Sequence, residues 1–363
     1  MHHQSRPKRP RFGQIAIPEM IVEAGLQQDV RMSLSGTLRS LACVLVCLVP
    51  ITAAAQTPAR VSSRTSLEAA TQADRARRAA EPRATATQRQ NAVSPQQLEQ
   101  LGIALPDSRV AAAIIYNPQT GDVLWENNSH DQRSIASLTK IMTAVTFIAD
   151  APDLSRTVVV QQADVRRASV TYLRAGERVT LENLLHLTLV ASDNAAARVL
   201  ARVSRGGSAA FIGRMNETAT QLGLTNTHYA DPSGLDARNV SSAYDLSHLI
   251  AFATAHPTLG PIMRAPEFKV RSGSRTFTIR NTNRLLGTDV EVVGGKTGFI
   301  RKAGYCLATL LQVPQGNQVA VVVLGAANSA VRFAEARNLF NWAVGRADAL
   351  FGSVPSLDAT ALP

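Results

Sequence analysis

This sequence of 363 residues has only three cysteines, and aromatic residues make up only 5% of it. Its cysteines are Cys43, Cys47 and Cys306. The first two lie in an apolar run with the features of a signal peptide. A mature chain would therefore keep Cys306 alone, which excludes an intrachain disulfide. Cys306 lies in an apolar strand pattern and is predicted to be a small core residue.

The apolar run covers residues 41–49, follows Arg39 and precedes three alanines that end at Ala55. A positive start, a short apolar core and a small-residue exit are typical of a secretory signal peptide. We therefore assign residues 1–55 to an N-terminal extension and signal peptide, cleaved near Ala55. The run is shorter than the roughly 20 residues of a membrane span, although an uncleaved signal would tether the protein to a membrane. Translation from either Met1 or Met32 fits the sequence.

The formal net charge of +11 is concentrated at the N-terminus. Residues 1–95 carry 13 Lys and Arg against 6 Asp and Glu, whereas the rest of the chain carries 25 against 21. The later part also lacks a basic run interleaved with aromatic residues, so nucleic-acid binding is not expected. A basic tail near an anionic membrane or wall polymer fits the charge.

Residues 56–95 contain no Phe, Trp or Tyr and are rich in Ala, Arg and Thr. Such a stretch buries too little apolar surface to offset its ordering entropy, so a disordered linker is predicted. The folded domain is then expected over 96–348, with a flexible tail over 349–363.

Strand patterns occur at both ends of the folded region. A middle section, 134–265, has helical periodicity. The strand patterns before this section cover 110–116 and 123–125, and those after it cover 276–280, 290–294, 305–313 and 318–325. A last amphipathic helix spans 331–343. This order predicts an α+β fold in which an antiparallel sheet is built from both ends of the chain and a helical subdomain is inserted between them.

Three short motifs can carry chemistry, and the first is Ser137-Leu138-Thr139-Lys140. Residues three apart share a helix face, so the two polar side chains can meet. A serine at a helix start lies at the positive end of the helix dipole, which favours a developing alkoxide. A neighbouring lysine can take the hydroxyl proton if burial lowers its pKa. Taken alone, the motif also fits a helix cap followed by a surface lysine.

The second motif is Ser192-Asp193-Asn194, between two helical patterns. Its hydroxyl and amide can enter a cleft from the helical side, with Ser192 relaying a proton to a leaving amine and Asn194 binding Lys140 and a substrate amide. Ser, Asp and Asn also favour the N-cap position of a helix, which is the alternative interpretation.

The third motif is Gly294-Gly295-Lys296-Thr297-Gly298, at the end of a predicted strand. Glycines let an extended peptide approach a strand edge, and Lys296 with Thr297 can bind a carboxylate. A tight turn with a surface lysine is the alternative. A Walker phosphate loop is excluded because position 290 is Val rather than Gly.

Metal and triad chemistry find little support in the sequence. Glu182 with His186, and Asp245 with His248, can each share a helix face, but each pair lacks a third ligand at a recognised spacing. We expect no metal and no cofactor. A Ser-His-Asp triad is redundant once Lys140 is available.

The order Ser-x-x-Lys, Ser-Asp-Asn, Lys-Thr-Gly resembles the signature of penicillin-binding proteins and serine β-lactamases. Over residues 110–343 the chain looks like a low-molecular-weight penicillin-binding protein, a D-alanyl-D-alanine carboxypeptidase or endopeptidase. The resemblance includes 133–136 before the first motif, 231–235 in the helical region and 281–283 before the third motif. It implies the β-lactamase/transpeptidase-like fold, with a five-stranded antiparallel sheet flanked by helices.

The resemblance also implies roles for individual residues. Ser137 would form the acyl-enzyme, Lys140 would be its base, and Ser192 would complete the catalytic set. The substrate would be bound by Asn194, Lys296, Thr297 and Gly298. Backbone amides of Ser137 and Phe299 would form the oxyanion hole.

The subtype is expected to be an endopeptidase like the penicillin-binding protein 7 type, because no separate β-rich domain follows the last helix. Phe299 after the third motif is compatible with that subtype. A carboxypeptidase releasing terminal D-Ala is the alternative. A β-lactamase would need a second base within Glu-x-x-Leu-Asn, which is not found, and a catalytically inactive wall-binding module would be expected to lose Ser137 or Lys140.

The implied partners are peptidoglycan stem peptides as substrate and β-lactams as covalent inhibitors. The signal peptide places the protein in the periplasm, with peripheral or no membrane association. Nothing in the sequence indicates an oligomeric state.

Overall fold

The computed structural model describes residues 106, 108–314 and 316–351. The predicted signal peptide (1–55) and linker (56–95) lie outside the described residues. The strands of the described part are, in chain order, β1 (Ala112–Asn117), β2 (Asp122–Asn127), β3 (Arg133–Ser134), β4 (Thr157–Val159), β5 (Arg178–Thr180), β6 (Val240–Ser241), β7 (Glu267–Ser272), β8 (Arg275–Arg280), β9 (Val292–Ile300), β10 (Gly304–Gln312) and β11 (Gln318–Ala326).

The helices of the same residues begin with a 3₁₀ turn, Ala136–Leu138, that leads directly into α1. They are, in chain order, α1 (Thr139–Ile148), α2 (Gln162–Val165), α3 (Leu181–Leu189), α4 (Asn194–Val203), α5 (Gly207–Gln221), α6 (Ala243–Ala255), α7 (Leu259–Arg264), α8 (Ser329–Val344) and α9 (Ala347–Phe351). Helix α9 crosses the domain boundary expected at 348, and residues 352–363 lie outside the described part. None of the described helices is long and apolar enough to cross a membrane.

The main sheet has five antiparallel strands in the order β2-β1-β11-β10-β9. A first strand pairs with the last, since Ala113 of β1 lies opposite Val323 of β11. At the other side of the sheet, Lys296 of β9 lies opposite Ala308 of β10. The predicted sheet, built from both ends of the chain, is therefore confirmed. Strands β1 and β2, and likewise β10 and β11, are consecutive in the chain and pair as antiparallel hairpins.

Both faces of this sheet are buried, because side chains alternate along a strand. In β11, Val319, Val321 and Val323 pack in the core that also contains residues of α8. The alternate residues Val322 and Leu324 pack in the core shared with α1 and α6. Each fully buried Val or Leu side chain contributes about 1.5–3 kcal/mol relative to an exposed one, so the alternation fixes the register strongly.

The helical middle section also contains short strands that periodicity did not predict. Strands β4 and β5 join β7 and β8 in a second, four-stranded sheet of order β4-β5-β7-β8. The predicted strand 276–280 is therefore β8 of this smaller sheet, not part of the main one. Strands of three residues such as β4 (Thr157–Val159) are too short to show a period of two.

Strand β9 is longer than predicted. The apolar pattern ended at 294, whereas the strand continues through the third motif to Ile300. Its pairing with β10 maintains the extended conformation despite the glycines. Because β9 is the edge strand of the main sheet, its outer side is available to a further extended peptide.

Candidate active site

The first motif lies at the junction of the 3₁₀ turn and α1. Ala136 adopts a left-handed conformation with φ +50°, which costs a non-glycine residue about 1–2 kcal/mol. The Thr139 hydroxyl secures this turn by donating to the Ala136 carbonyl at 2.8 Å. The sharp turn leaves Ser137 half-buried at the start of a helix, as the sequence predicted.

Lys140 is fully buried beneath the serine, not on the surface. Its Nζ lies 3.0 Å from Ser137 Oγ and donates to Asn194 Oδ1 at 2.6 Å and to the Ser233 carbonyl at 2.6 Å. A neutral amine has two N–H donors and one lone pair. Two donors are thus used by the protein, which leaves the lone pair for the serine hydroxyl.

Burial lowers the pKa of Lys140 to about 7, although the Asp193 and Asp231 carboxylates oppose the shift. A base with a pKa near the working pH combines a deprotonated population with useful basicity. The Lys140 amine therefore has the position and the basicity to take the Ser137 proton.

The loop 231–234 was matched by the family resemblance, but the sequence indicated no role for it. Its Ser233 carbonyl is a hydrogen-bond acceptor for Lys140, and its Asp231 carboxylate accepts from the Gly234 amide at 2.9 Å. Gly234 has φ +82°, and a Cβ there would lie 2.0 Å from the Ala136 carbonyl oxygen. The loop thus packs directly against the turn that carries the nucleophile.

Asn239 anchors this loop to α1. Its side-chain amide donates to Asp231 Oδ1 at 2.6 Å and to the Thr139 hydroxyl at 3.1 Å. The Thr143 hydroxyl adds a bond to the Pro232 carbonyl at 2.6 Å. Apart from the family resemblance, the turn-forming sequence Asp-Pro-Ser-Gly is the local feature that marks this loop.

In the second motif, one residue is a helix N-cap and the other two contact the lysines of the site. Asp193 is the N-cap of α4 and accepts from the Ala196 amide at 2.9 Å. Ser192 has φ +60° and reaches Lys296, while Asn194 reaches Lys140. The Asn194 amide group also donates to the Ala168 carbonyl at 2.7 Å, which leaves one N–H for another acceptor.

The third motif places a second buried lysine in the site. Lys296, which is 1% exposed, donates to Ser192 Oγ at 2.8 Å and to the Thr297 carbonyl at 2.8 Å. Burial, followed by the charges of Lys140 and Arg332, lowers the pKa of Lys296 well below its usual value. Thr297 Oγ1 donates to Thr282 Oγ1 at 2.7 Å.

Gly298 brings β9 against the nucleophile turn. A Cβ at this position would lie 2.9 Å from the Ile135 carbonyl oxygen and 3.1 Å from the Ser137 amide nitrogen. The next residue, Phe299, is 50% exposed and packs on Tyr305 with ring centroids 4.2 Å apart. The close approach of the strand explains why glycine follows Lys296 and Thr297.

Arg332 supports this end of β9 and was missed in the sequence. Its buried guanidinium donates through Nη1 to the carbonyls of Gly298 at 3.2 Å and Cys306 at 3.1 Å. It lies in the amphipathic pattern of α8, where an arginine is ordinarily expected on the solvent side. Cys306 itself is fully buried, so its prediction as a core residue is confirmed.

Side chains of the two acid–histidine pairs considered as metal ligands make other contacts. His186 donates through Nδ1 to the Glu182 carbonyl at 3.0 Å and stacks on Phe268 at 3.5 Å. The Asp245 carboxylate accepts from the Asn226 amide at 2.8 Å and the Thr227 hydroxyl at 2.7 Å. Within 108–314 and 316–351, no three His, Cys, Asp or Glu residues are grouped to hold a metal ion.

Comparison with known proteins agrees with this geometry. The sequence model of the D-alanyl-D-alanine carboxypeptidase family matches residues 99–328. The chain belongs to this family. The family membership inferred from the three motifs is thereby confirmed.

Individual members of the D-alanyl-D-alanine carboxypeptidase family are similar over most of their length. A D-alanyl-D-alanine endopeptidase of Pseudomonas aeruginosa is 34% identical over 236 residues, 64% of this chain and 76% of that protein. A D-alanyl-D-alanine endopeptidase of Escherichia coli is 34% identical over 242 residues, 65% of this chain and 78% of that protein.

A solved structure confirms the predicted fold class. The Streptomyces DD-transpeptidase is 30% identical, covers 67% of this chain and 99% of its own, and superimposes with a TM-score of 0.64. The described residues thus have the fold of penicillin-binding enzymes. Hydrogen bonds connect the first motif to the second and the second to the third.

Proposed function

We propose that this protein is a serine D,D-peptidase that cleaves peptidoglycan stem peptides through an acyl-enzyme on Ser137. The observation that carries the proposal is the 3.0 Å contact between Ser137 Oγ and the buried Lys140 Nζ, whose pKa is lowered to about 7. A serine hydroxyl is a weak nucleophile without such a base.

In the acylation step, Ser137 Oγ attacks the carbonyl carbon of a D-Ala residue while its proton passes to Lys140 Nζ. The oxyanion that forms is stabilised by the backbone amides of Ser137 and Phe299. Collapse of the tetrahedral intermediate breaks the C–N bond. The leaving amine receives, through Ser192, the proton that Lys140 had taken from Ser137. Lys140 is then neutral again and can activate the water that hydrolyses the ester.

The other end of the cleft binds the substrate. An extended peptide can add to the outer edge of β9, where Lys296 and Thr297 offer an ammonium and a hydroxyl to a carboxylate. The remaining N–H of Asn194 can donate to a substrate carbonyl, and Gly298 leaves room for the peptide backbone. The site residues inferred from the sequence therefore have compatible roles in one mechanism.

We propose endopeptidase activity on D-Ala cross-links, supported by the two similar proteins of that name. The endopeptidase and carboxypeptidase reactions both acylate Ser137 through D-Ala and differ only in the amine that leaves. A carboxypeptidase that releases terminal D-Ala is the second candidate, favoured by the description of the family.

The wall substrate implies that the enzyme acts in the periplasm, and the signal peptide inferred over 1–55 supports that location. β-Lactams would acylate Ser137 as substrate analogues. The nearest carboxylates are already engaged: Asp193 caps α4, and Asp231 binds Gly234 and Asn239. With neither available as a second base, the penicilloyl ester should hydrolyse slowly, so we expect inhibition and not turnover.

The test is incubation of the purified protein with cross-linked muropeptides and, separately, with monomeric pentapeptide, followed by chromatographic separation of the products. Monomers released from the cross-linked substrate support the endopeptidase. Free D-Ala as the sole product would instead establish the carboxypeptidase. Ser137→Ala is the control and should release neither product.

A further inference from the structure

Few large apolar side chains are exposed in the described part of the chain. The large hydrophobic residues exposed in the described part of the chain are Val159 (44%), Val170 (51%), Tyr172 (43%) and Phe299 (50%). Phe299 follows the third motif on β9. Val170 and Tyr172 lie on the segment 166–174, which precedes the second motif by some 20 residues and has no part in the mechanism above.

This 166–174 segment is bonded directly to the second motif. Asn194 donates to it twice, from its side chain to the Ala168 carbonyl at 2.7 Å and from its backbone amide to the Val170 carbonyl at 3.0 Å. In return, the Tyr172 amide donates to Asp193 Oδ2 at 2.6 Å. The exposed side chains of the segment are therefore held beside the residues that line the cleft.

The backbone of the segment is strained in a way that its contacts maintain. Arg167 has φ +52° and Ser169 has φ +63°, left-handed conformations that cost a non-glycine residue about 1–2 kcal/mol each. Such strain persists only where surrounding bonds over-determine the conformation, and it concentrates at ligand-binding sites. Val170 follows Ser169 directly and is exposed although it is large and apolar.

The Tyr172 ring is also held in place. It stacks on Phe277 of β8 with centroids 5.7 Å apart and planes 8° apart. Arg275 fixes the same stretch by donating from Nη2 to the Tyr172 carbonyl at 2.7 Å. An aromatic face that is ordered before binding loses little entropy when a ligand packs on it.

Charge on the segment favours an anionic ligand. Arg166, Arg167 and Arg174 are exposed, and none of them forms an ion pair with another described residue. Guanidinium groups bind carboxylates in a bidentate fashion. A peptide with an aliphatic stem and free carboxylates, such as a diaminopimelate-containing stem peptide, matches this combination of apolar and cationic side chains.

We propose that the 166–174 segment is a substrate subsite for the part of the stem peptide beyond the reacting D-Ala. Val170 and Tyr172 pack against aliphatic carbons of that part, and the arginines bind its carboxylates. The inference rests on the proposed function and extends it, because it assigns recognition of the stem to side chains outside the three motifs.

The test measures binding separately from cleavage. In a Ser137→Ala background, the affinity for a purified diaminopimelate-containing muropeptide is measured by calorimetry, with and without Tyr172→Ser. We expect Kd to rise about tenfold, as loss of one buried aromatic contact produces. Val159→Ser removes an equally exposed side chain outside the segment and should leave Kd unchanged, and Tyr172→Phe should retain affinity.

A second measurement distinguishes a subsite from a structural role. With Ser137 intact, labelling by a fluorescent penicillin, which lacks the stem, should proceed at the same rate in Tyr172→Ser and in the unaltered protein. The subsite proposal would be overturned by an unchanged Kd in Tyr172→Ser. It would also be overturned if Tyr172→Ser lost penicillin labelling and muropeptide binding together. Failure of the unaltered protein to cleave muropeptides that it binds would count against the proposed function alone.

Discussion

The two ends of the cleft each hold a buried lysine, and the two lysines differ in their neighbours. Lys140 has the carboxylates of Asp193 and Asp231 nearby, which partly offset the effect of burial on its pKa. Lys296 instead has the cations Lys140 and Arg332 nearby, which lower its pKa further. Burial is nearly complete for both side chains, so the difference lies in the surrounding charges.

This difference suggests how one cleft uses two lysines for two tasks. Lys140, with its pKa near neutrality, can alternate between accepting and returning a proton. Burial and the neighbouring cations lower the pKa of Lys296 well below its usual value, and a substrate carboxylate would supply the counter-charge that its surroundings lack.

The largest expected effect comes from Lys140→Gln. Glutamine keeps a donor of similar length for the Asn194 and Ser233 oxygens but cannot accept the Ser137 proton. We expect the rate of acylation by a fluorescent penicillin to fall about 1,000-fold, within the range for loss of a general base. A melting temperature close to that of the unaltered protein would show that the fold is intact, and a loss below tenfold would contradict the role of Lys140.

The same substitution at Lys296 should have a smaller and different effect. Lys296→Gln removes a charge-assisted bond to the carboxylate, worth about 1.5–3 kcal/mol, so kcat/KM for a carboxylate-bearing substrate should fall about 10- to 100-fold. Amidation of the substrate carboxylate should cause a similar loss in the unaltered enzyme and little further loss in the variant. Equal sensitivity of both enzymes to amidation would disprove the assignment.

Two glycines allow the packing at these ends to be compared. Gly234→Ala would introduce a Cβ 2.0 Å from the Ala136 carbonyl oxygen at φ +82°, whereas at Gly298 the nearest atom is 2.9 Å away and no positive φ is involved. We expect Gly234→Ala to destabilise the fold by about 2 kcal/mol or more, since it combines overpacking with backbone strain. Gly298→Ala should cost less, and denaturant unfolding of both variants would reveal a reversed order.

The pH dependence tests the role of Lys140 without a substitution. Lys140 is protonated below its pKa and then cannot accept the Ser137 proton, so the acylation rate should fall about tenfold per pH unit below 7. Above pH 7 the rate should level off. A rate that stays constant from pH 8 to pH 5 would mean that another group with a lower pKa is the base.

The sequence predicted the main sheet correctly. The continuous apolar run of β11 indicates burial on both faces of the sheet, and such a run is a local property of the chain. The motifs around Ser137, Ser192 and Lys296 were assigned to one cleft by their order. The alternatives for the first and third motifs required a surface lysine, and both lysines are buried. The N-cap alternative for the second motif holds for Asp193.

Other features depended on contacts distant in sequence. The Ser233 carbonyl is a backbone group that every residue possesses, so its bond to Lys140 has no side-chain signal. Arg332 resembles a surface residue of an amphipathic helix until β9 and β10 supply carbonyls for its guanidinium. Strand β9 likewise extends beyond its apolar pattern because β10 pairs with it.

The central claim is that Ser137 is the nucleophile activated by Lys140, and mapping of the covalent adduct tests it most directly. The purified protein is incubated with benzylpenicillin, digested and analysed by mass spectrometry. The account predicts one penicilloyl group, located on Ser137, that persists after excess drug is removed and is absent from Ser137→Ala. An adduct on Ser192, or labelling that survives Ser137→Ala, would contradict it.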